Sequence, residues 1–254
     1  MTTTPSRLAA HVLDLRKVRS HGALESVPLQ GATASFEWGS LSAVTGPSGS
    51  GKTTLFNLMA GLDRPTAGIV TIDGQDIGNL TERALTRLRR TKLALVTEDG
   101  DLVPSLSARE NLLLPMTLAH RPVDRGWREA VVEAAGIGAQ LSSPPSDLSP
   151  LHQQLVACAR ALLMQPRVLL ADEPTGRLHA EDADAVLKLL EWAREVLPVA
   201  VVVFTHDPIV AASSDRAILL SNGRIVADLS APTPVSMLSM IAELDAARRA
   251  RPES

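Results

Sequence analysis

Short apolar runs that stop at polar residues set the frame of this chain. Leu41 to Val44 ends in a glycine-rich loop, and Thr54 to Ala60 beyond it carries helical spacing stopped by Gly61. That order reads strand, loop, helix. Val168 to Ala171 forms a second buried-strand run, ending at Asp172 and Glu173, and Val199 to Phe204 a third, ending at Thr205 and His206. Open parallel sheets bind ligands along the carboxyl edge of their strands, so the three ends are expected to converge on one site although they lie far apart in sequence. An α/β architecture with a parallel-sheet core follows.

Between Glu98 and Leu163 the strand pattern fades. Pro104, Pro115, Pro122, Pro144 and Pro145 punctuate this stretch, and Trp127 to Ala135 has helical spacing, which together predict a helical subdomain inserted in the core. From Ala231 onward the chain is Pro-rich and then helix-prone over Met237 to Arg249, with Leu238, Ile241 and Leu244 on one face. The expected division is one domain over 1–230, interrupted by the helical stretch at 98–163, and a docked or frayed helical tail over 231–254. No repeat of solenoid or propeller length is present.

Composition narrows the classes. In 254 residues, 45% are hydrophobic and 21% charged, enough for a full core, and the net charge of -3 shows none of the basic excess of a nucleic-acid partner. No apolar run approaches the roughly 18 residues of a membrane-spanning helix. Cys158 is the sole cysteine, which excludes an intrachain disulfide and a CxxC metal site, and the start MTTTPSRLAAHV lacks the apolar centre of a secretory signal. The expected compartment is the cytoplasm. Tyrosine is absent and aromatics total 2%, so stacking on a base falls to Trp, Phe or His.

The strongest chemical signal is Gly46-Pro47-Ser48-Gly49-Ser50-Gly51-Lys52-Thr53, which fits G-x-x-x-x-G-K-[ST] with a strand before it and a helix after it. Glycines let backbone N-H groups wrap phosphate oxygens where a Cβ would obstruct them, and the following helix aims its positive end at the same anion. Lys52 supplies a charge to the terminal phosphates and the Thr53 hydroxyl a ligand to Mg²⁺. Asp172, at a strand end, is placed to hold Mg²⁺ and Glu173 to orient or deprotonate an attacking water. His206 has the position of a γ-phosphate sensor.

These residues resemble the nucleotide-binding subunit of ATP-binding cassette (ABC) transporters, a P-loop NTPase fold, over nearly the whole chain up to about Leu229. GPSGSGKTTLFNLMAGLDRPTAGIVTIDG, DLVPSLSARENLLLP, ARALLMQPRVLLADEPTGRL and VVVFTHD are similar to the subfamily serving macrolide exporters, lipoprotein-release systems and FtsX-type permeases. The resemblance implies an ATPase using ATP and Mg²⁺, dimeric, and bound to integral membrane permease subunits at the cytoplasmic face of the membrane. It makes Gly46 to Thr54 the Walker A loop, Asp172 the Walker B aspartate, Glu173 the catalytic glutamate and His206 the switch histidine. His21 takes the aligned place of the adenine-stacking aromatic, and Glu98 that of the Q-loop glutamine. A carboxylate at 98 either ligates Mg²⁺ or, with the loop shifted, faces solvent. Coupling to the permease is expected around Glu98 to Asn111.

Two family segments depart from the pattern. The signature Leu-Ser-Gly-Gly-Gln appears as Leu148-Ser149-Pro150-Leu151-His152, and the D-loop aspartate as His179. In the family the signature serine, its backbone N-H groups and the start of its helix hold the partner's γ-phosphate. Pro150 has no N-H to donate and Leu151 places a branched side chain where phosphate approaches, while Ser149 can still cap a helix that starts at Pro150. Each lost charge-assisted hydrogen bond costs about 1.5 to 3 kcal/mol. Groups for the chain's own nucleotide are largely kept, Glu98 being the departure on that side, and those lent to a partner's are altered. The expectation is a heterodimer with a second ABC ATPase subunit carrying an intact signature; the alternative is an ATP-gated regulatory cassette with little turnover.

Overall fold

The computed structural model describes residues 8–21 and 24–249. The described chain starts with two long antiparallel strands, β1 (Leu8–His21) and β2 (Leu24–Glu37), and then β3 (Leu41–Thr45). Helix α1 (Lys52–Met59) follows the glycine loop, and β4 (Ala67–Ile72), β5 (Gln75–Asp76), α2 (Glu82–Arg89) and β6 (Leu93–Val96) come next. The stretch expected to be helical contains α3 (Ala108–Leu118), α4 (Arg125–Ala134) and α5 (Pro150–Leu163). Alternation then resumes with β7 (Val168–Asp172), α6 (Ala180–Val196), β8 (Ala200–Phe204) and α7 (Pro208–Ala212). The hairpin of β9 (Arg216–Ser221) and β10 (Arg224–Ser230) and the final helix α8 (Pro234–Arg249) complete it.

The core sheet has the order β10-β9-β3-β8-β7-β6, parallel from β9 to β6 with β10 antiparallel at the edge. Its central strands are covered on both faces, which is why they read as unbroken apolar runs. In β8 the pleat divides that run: Val201 and Val203 pack with α5 and α6, whereas Ala200, Val202 and Phe204 join the opposite cluster with α1. Strands β3, β8 and β7 are neighbours, so the polar residues that follow each of them emerge along one edge.

A second, antiparallel sheet of order β2-β1-β4-β5 packs its apolar side chains into the α1 cluster. The sequence reading assigned no strand here. Register shifts between Val12 and Leu15, and again between Lys17 and Arg19, interrupt the period-two pattern that would have announced β1.

Helix α5 begins as expected, with Ser149 as N-cap accepting from the His152 N-H and Pro150 in the first turn. Trp127 of α4 stacks on Trp192 of α6 at 5.5 Å and donates its indole N-H to the Leu162 carbonyl of α5, tying three helices together. The tail helix is docked. Its inward face differs from the expected Leu238, Ile241, Leu244 stripe: Met237 is fully buried against Ala43, Ala211, Ala217 and Leu219, Met240, Ile241 and Leu244 flank it, and Leu238 is 52% exposed. Positions 237, 240, 241 and 244 form one i, i+3, i+4, i+7 stripe, and Leu238 falls about 100° away from its leading residue.

Candidate functional site

The loop after β3 takes a path that only glycine permits at two points. Gly46 has φ +146°, and a Cβ there would stand 2.0 Å from the Leu220 carbonyl oxygen; Gly51 has φ +112° with the Pro28 oxygen 2.4 Å from such a Cβ. The loop is braced where the Gly223 N-H, in the β9–β10 turn, donates to the Ser50 carbonyl. Helix α1 starts at Lys52 without a side-chain cap, leaving its first backbone N-H groups directed at the loop. Phe56 meets Phe204 edge-on at 5.4 Å, which fixes α1 to the strand that leads to Thr205 and His206.

At the end of β7, Glu173 sits in the left-handed region at φ +46° with its N-H on the Phe204 carbonyl. This conformation is uncommon for a residue with a side chain, and here it turns the carboxylate toward β8. Glu173 accepts from the Thr205 hydroxyl at 3.1 Å and from the His206 N-H at 2.9 Å, and its Oε1 pairs with His206 Nδ1 at 2.8 Å. Ser48, Gly49, Lys52, Thr53, Glu173 and His206 line one cleft of about 260 Å³, with Gly51, Thr54 and Pro28 behind them. Gly46, Pro47 and Ser50 complete the loop, and the buried Ser50 hydroxyl has no hydrogen-bond partner among the described residues.

Charge in the cleft is unbalanced. Lys52 folds back to donate to the carbonyls of Gly46 at 2.7 Å and Pro47 at 3.2 Å, and burial lowers its pKa against the opposing pull of Glu173 and Asp172. Burial first, then the charges of Glu173 and Glu98, push Asp172 up to about 6, with Lys52 acting in the other direction. Two carboxylates near one lysine, with the charge of Glu98 also reaching Asp172, make a hard-donor environment that a divalent cation would relieve. Among the described residues no compact group of three or more His, Cys, Asp or Glu forms a metal cage. Such a surround suits Mg²⁺, which is usually held by one or two carboxylates together with phosphate oxygens and water.

Glu98 is exposed, and its Oε1 lies 3.2 Å from where a Cβ on Gly176 would stand, beside the turn that follows Glu173. It does not line the cleft, although its charge reaches Asp172. The loop carrying it is held by residues the sequence reading passed over. Gln154 donates to the Thr97 carbonyl, Arg160 to the carbonyls of Gly100 and Asp101, and Arg177 pairs with Asp99. Thr205, noted only as a strand end, holds Glu173; its place beside two other polar strand ends was the available signal.

The structure keeps Ser149 away from this cleft, at the head of α5, where its hydroxyl lies 2.8 Å from His152 Nδ1. His179 is the N-cap position of α6 and makes no side-chain capping bond. The backbone of His21 ends β1 opposite Leu24, and its side chain lies outside the described residues, as does any contact with a base.

The glycine loop, the two acidic residues at a strand end and the intervening helical stretch fall within residues 29–176, which match the family model described as ABC transporter. The chain belongs to the ABC transporter family. Within that family it sits in the macrolide-export and lipoprotein-release branch. It is 40% identical over 217 residues to the lipoprotein-releasing system ATP-binding protein LolD of Anaeromyxobacter dehalogenans, covering 84% of this chain and 91% of that protein. It is 39% identical over 216 residues to the macrolide export ATP-binding/permease protein MacB of Syntrophobacter fumaroxidans, again over 84% of this chain, but spans only 30% of that longer relative. Among solved structures, the dimeric bacterial ABC transporter cassette MJ0796 is 32% identical with a TM-score of 0.80, covering 87% of this chain and 98% of that one. A post-hydrolysis dimer of the same cassette bound to ADP and Pi matches with a TM-score of 0.79, at 32% identity over 87% of this chain and 98% of that one. No helix among the described residues is long and apolar enough to cross a membrane.

Proposed function

We propose that this ATP-binding cassette binds ATP in the cleft at the ends of β3, β7 and β8, hydrolyses it there, and couples closure of a cassette dimer to a membrane permease. The observation that carries the reading is the convergence of the glycine loop, Lys52, Thr53, Glu173 and His206 on one cleft from three segments far apart in sequence. Lys52 exchanges its loop carbonyls for phosphate oxygens, and the backbone N-H groups from Gly49 to Thr54 surround the same anion. Thr53 and Asp172 would hold a Mg²⁺ that neutralises charge on the phosphate oxygens, and Glu98, exposed and outside the cleft lining, would join them only with its loop moved toward the cleft. Glu173 leaves its hydrogen bonds with Thr205 and His206 to orient water, and His206 is then available to the γ-phosphate. ATP-affinity measurements with a fluorescent analogue test the site: Lys52→Ala weakens binding by at least about tenfold, and Glu173→Gln retains it. Unchanged affinity in Lys52→Ala refutes the assignment.

The dimer is proposed to be a heterodimer whose second ATPase subunit supplies an intact signature, located through its permease at the cytoplasmic face of the membrane. Support comes from α5, where Pro150 lacks a donor and the Ser149 hydroxyl is engaged by His152. The same observation favours a second reading, an ATP-gated regulatory cassette. Slow turnover even with an intact-signature partner selects it.

A further inference from the structure

Two tight turns carry the ion pair that reaches the Glu98 loop. On one side the Gly100 N-H donates to the Thr97 carbonyl; on the other the Gly176 N-H donates to the Glu173 carbonyl and the Leu178 N-H to that of Thr175. Asp99 and Arg177 stand on these turns and pair although 78 positions separate them in sequence. Among the described residues this is the one hydrogen bond or ion pair made by the side chains of Glu98 and Asp99. Arg177 and Asp99 are 58% and 72% exposed, and a pair so open to water contributes little to stability. Its effect is on placement.

The flanks of the loop are held independently, by Gln154 on the Thr97 carbonyl and by Arg160 on those of Gly100 and Asp101. Loss of the ion pair therefore frees the two acidic residues between these anchors without unfastening the loop. Space for them exists: Glu98, Asp99 and Arg177 line a cavity of about 90 Å³ against Pro174 and the head of α5. Glu98 already lies close to the cleft. Its charge reaches Asp172, and only the missing side chain of Gly176 lets its Oε1 rest beside the turn that follows Glu173.

We propose that Arg177 is a positioning residue: its ion pair with Asp99 keeps Glu98 out of the cleft, and release of that pair lets Glu98 join Thr53 and Asp172 at the metal. The inference rests on the nucleotide site proposed above and adds a control on its affinity for Mg²⁺. A further carboxylate is a further hard oxygen ligand, so the cleft takes the cation more tightly with the pair broken than with it formed. Arg177 thus acts through Asp99 and Glu98 and touches neither nucleotide nor metal itself.

The test titrates Mg²⁺ into the full chain with a fluorescent ATP analogue and reads the concentration at half-saturation. Arg177→Ala removes a positive charge and Asp99→Asn a negative one, so a pure field effect moves metal affinity in opposite directions. Release of Glu98 instead lowers the half-saturation concentration in both, by at least about threefold, and both effects vanish when Glu98→Gln is added. Arg177→Asp combined with Asp99→Arg rebuilds the pair with its ends exchanged and is expected to restore the original value. Opposite shifts in the two single variants, no shift in either, or a shift that persists with Glu98→Gln overturns the proposal. Mn²⁺ binding to the nucleotide-free chain, read by electron paramagnetic resonance, is measured on the same variants. Failure of the unaltered chain to bind the analogue refutes the nucleotide site, and the Mn²⁺ affinities then decide the role of Arg177 by the same pattern.

Discussion

Asp172 carries the clearest single-residue consequence of the site's charge. Its folded pKa of about 6 lies above the ordinary aspartate value, so the folded state holds the proton more tightly than the unfolded chain. The ionised form therefore costs stability: the cost is small below about pH 4, grows as pH rises toward 6, and is complete above it. Asp172→Asn is predicted to raise the unfolding free energy by about 1 to 2 kcal/mol at pH 7.5 in magnesium-free buffer, after allowing for solvent screening of this half-buried group. The gain should shrink toward zero near pH 4 in urea unfolding curves; equal gains at both pH values would contradict it. Cys158 is shifted in the same direction and by the same cause. Complete burial pushes its thiol up to about 12, so a thiol reagent at pH 8 is predicted to label it only at the rate of global unfolding.

At the scale of elements, α5 is where packing and chemistry separate. Ser149 and Pro150 start the helix well, while the same proline removes a donor from its exposed tip. Replacing Pro150 and Leu151 by glycine is predicted to lower stability by about 1 to 2 kcal/mol and to raise ATP turnover of the isolated chain at least about tenfold. Turnover that stays flat in a folded variant counts against the signature defect. In α8, Met237→Ala is predicted to cost about 2 to 4 kcal/mol in thermal unfolding, whereas Leu238→Ala is nearly neutral. The core strands were legible because burial on both faces leaves an unbroken apolar run. Of the expected α8 stripe, Ile241 and Leu244 pack on the core while Leu238 is exposed, because Met237 rather than Leu238 shares their i, i+4, i+7 face. The antiparallel sheet was missed because bulges in β1 shift the alternation on which strand recognition depends. The glycine loop was legible from its spacing and flanking elements. The braces on the Glu98 loop were not, because Gln154 and Arg160 act on backbone carbonyls far away in sequence, which leave no local pattern.

For the whole molecule, the groups proposed to hold a nucleotide by its phosphates gather in one cleft, and Ser149, at the head of α5, is not among the residues that line it. In the heterodimer proposed above, a second subunit completes this cassette. Steady-state phosphate release from the purified chain with saturating ATP and Mg²⁺, alone and then with an ATPase partner of intact signature, tests that claim most directly. The account predicts turnover well below about 1 per second alone and a rise with the partner that Glu173→Gln abolishes. Rapid release by the chain alone, lost in Glu173→Gln, would contradict it.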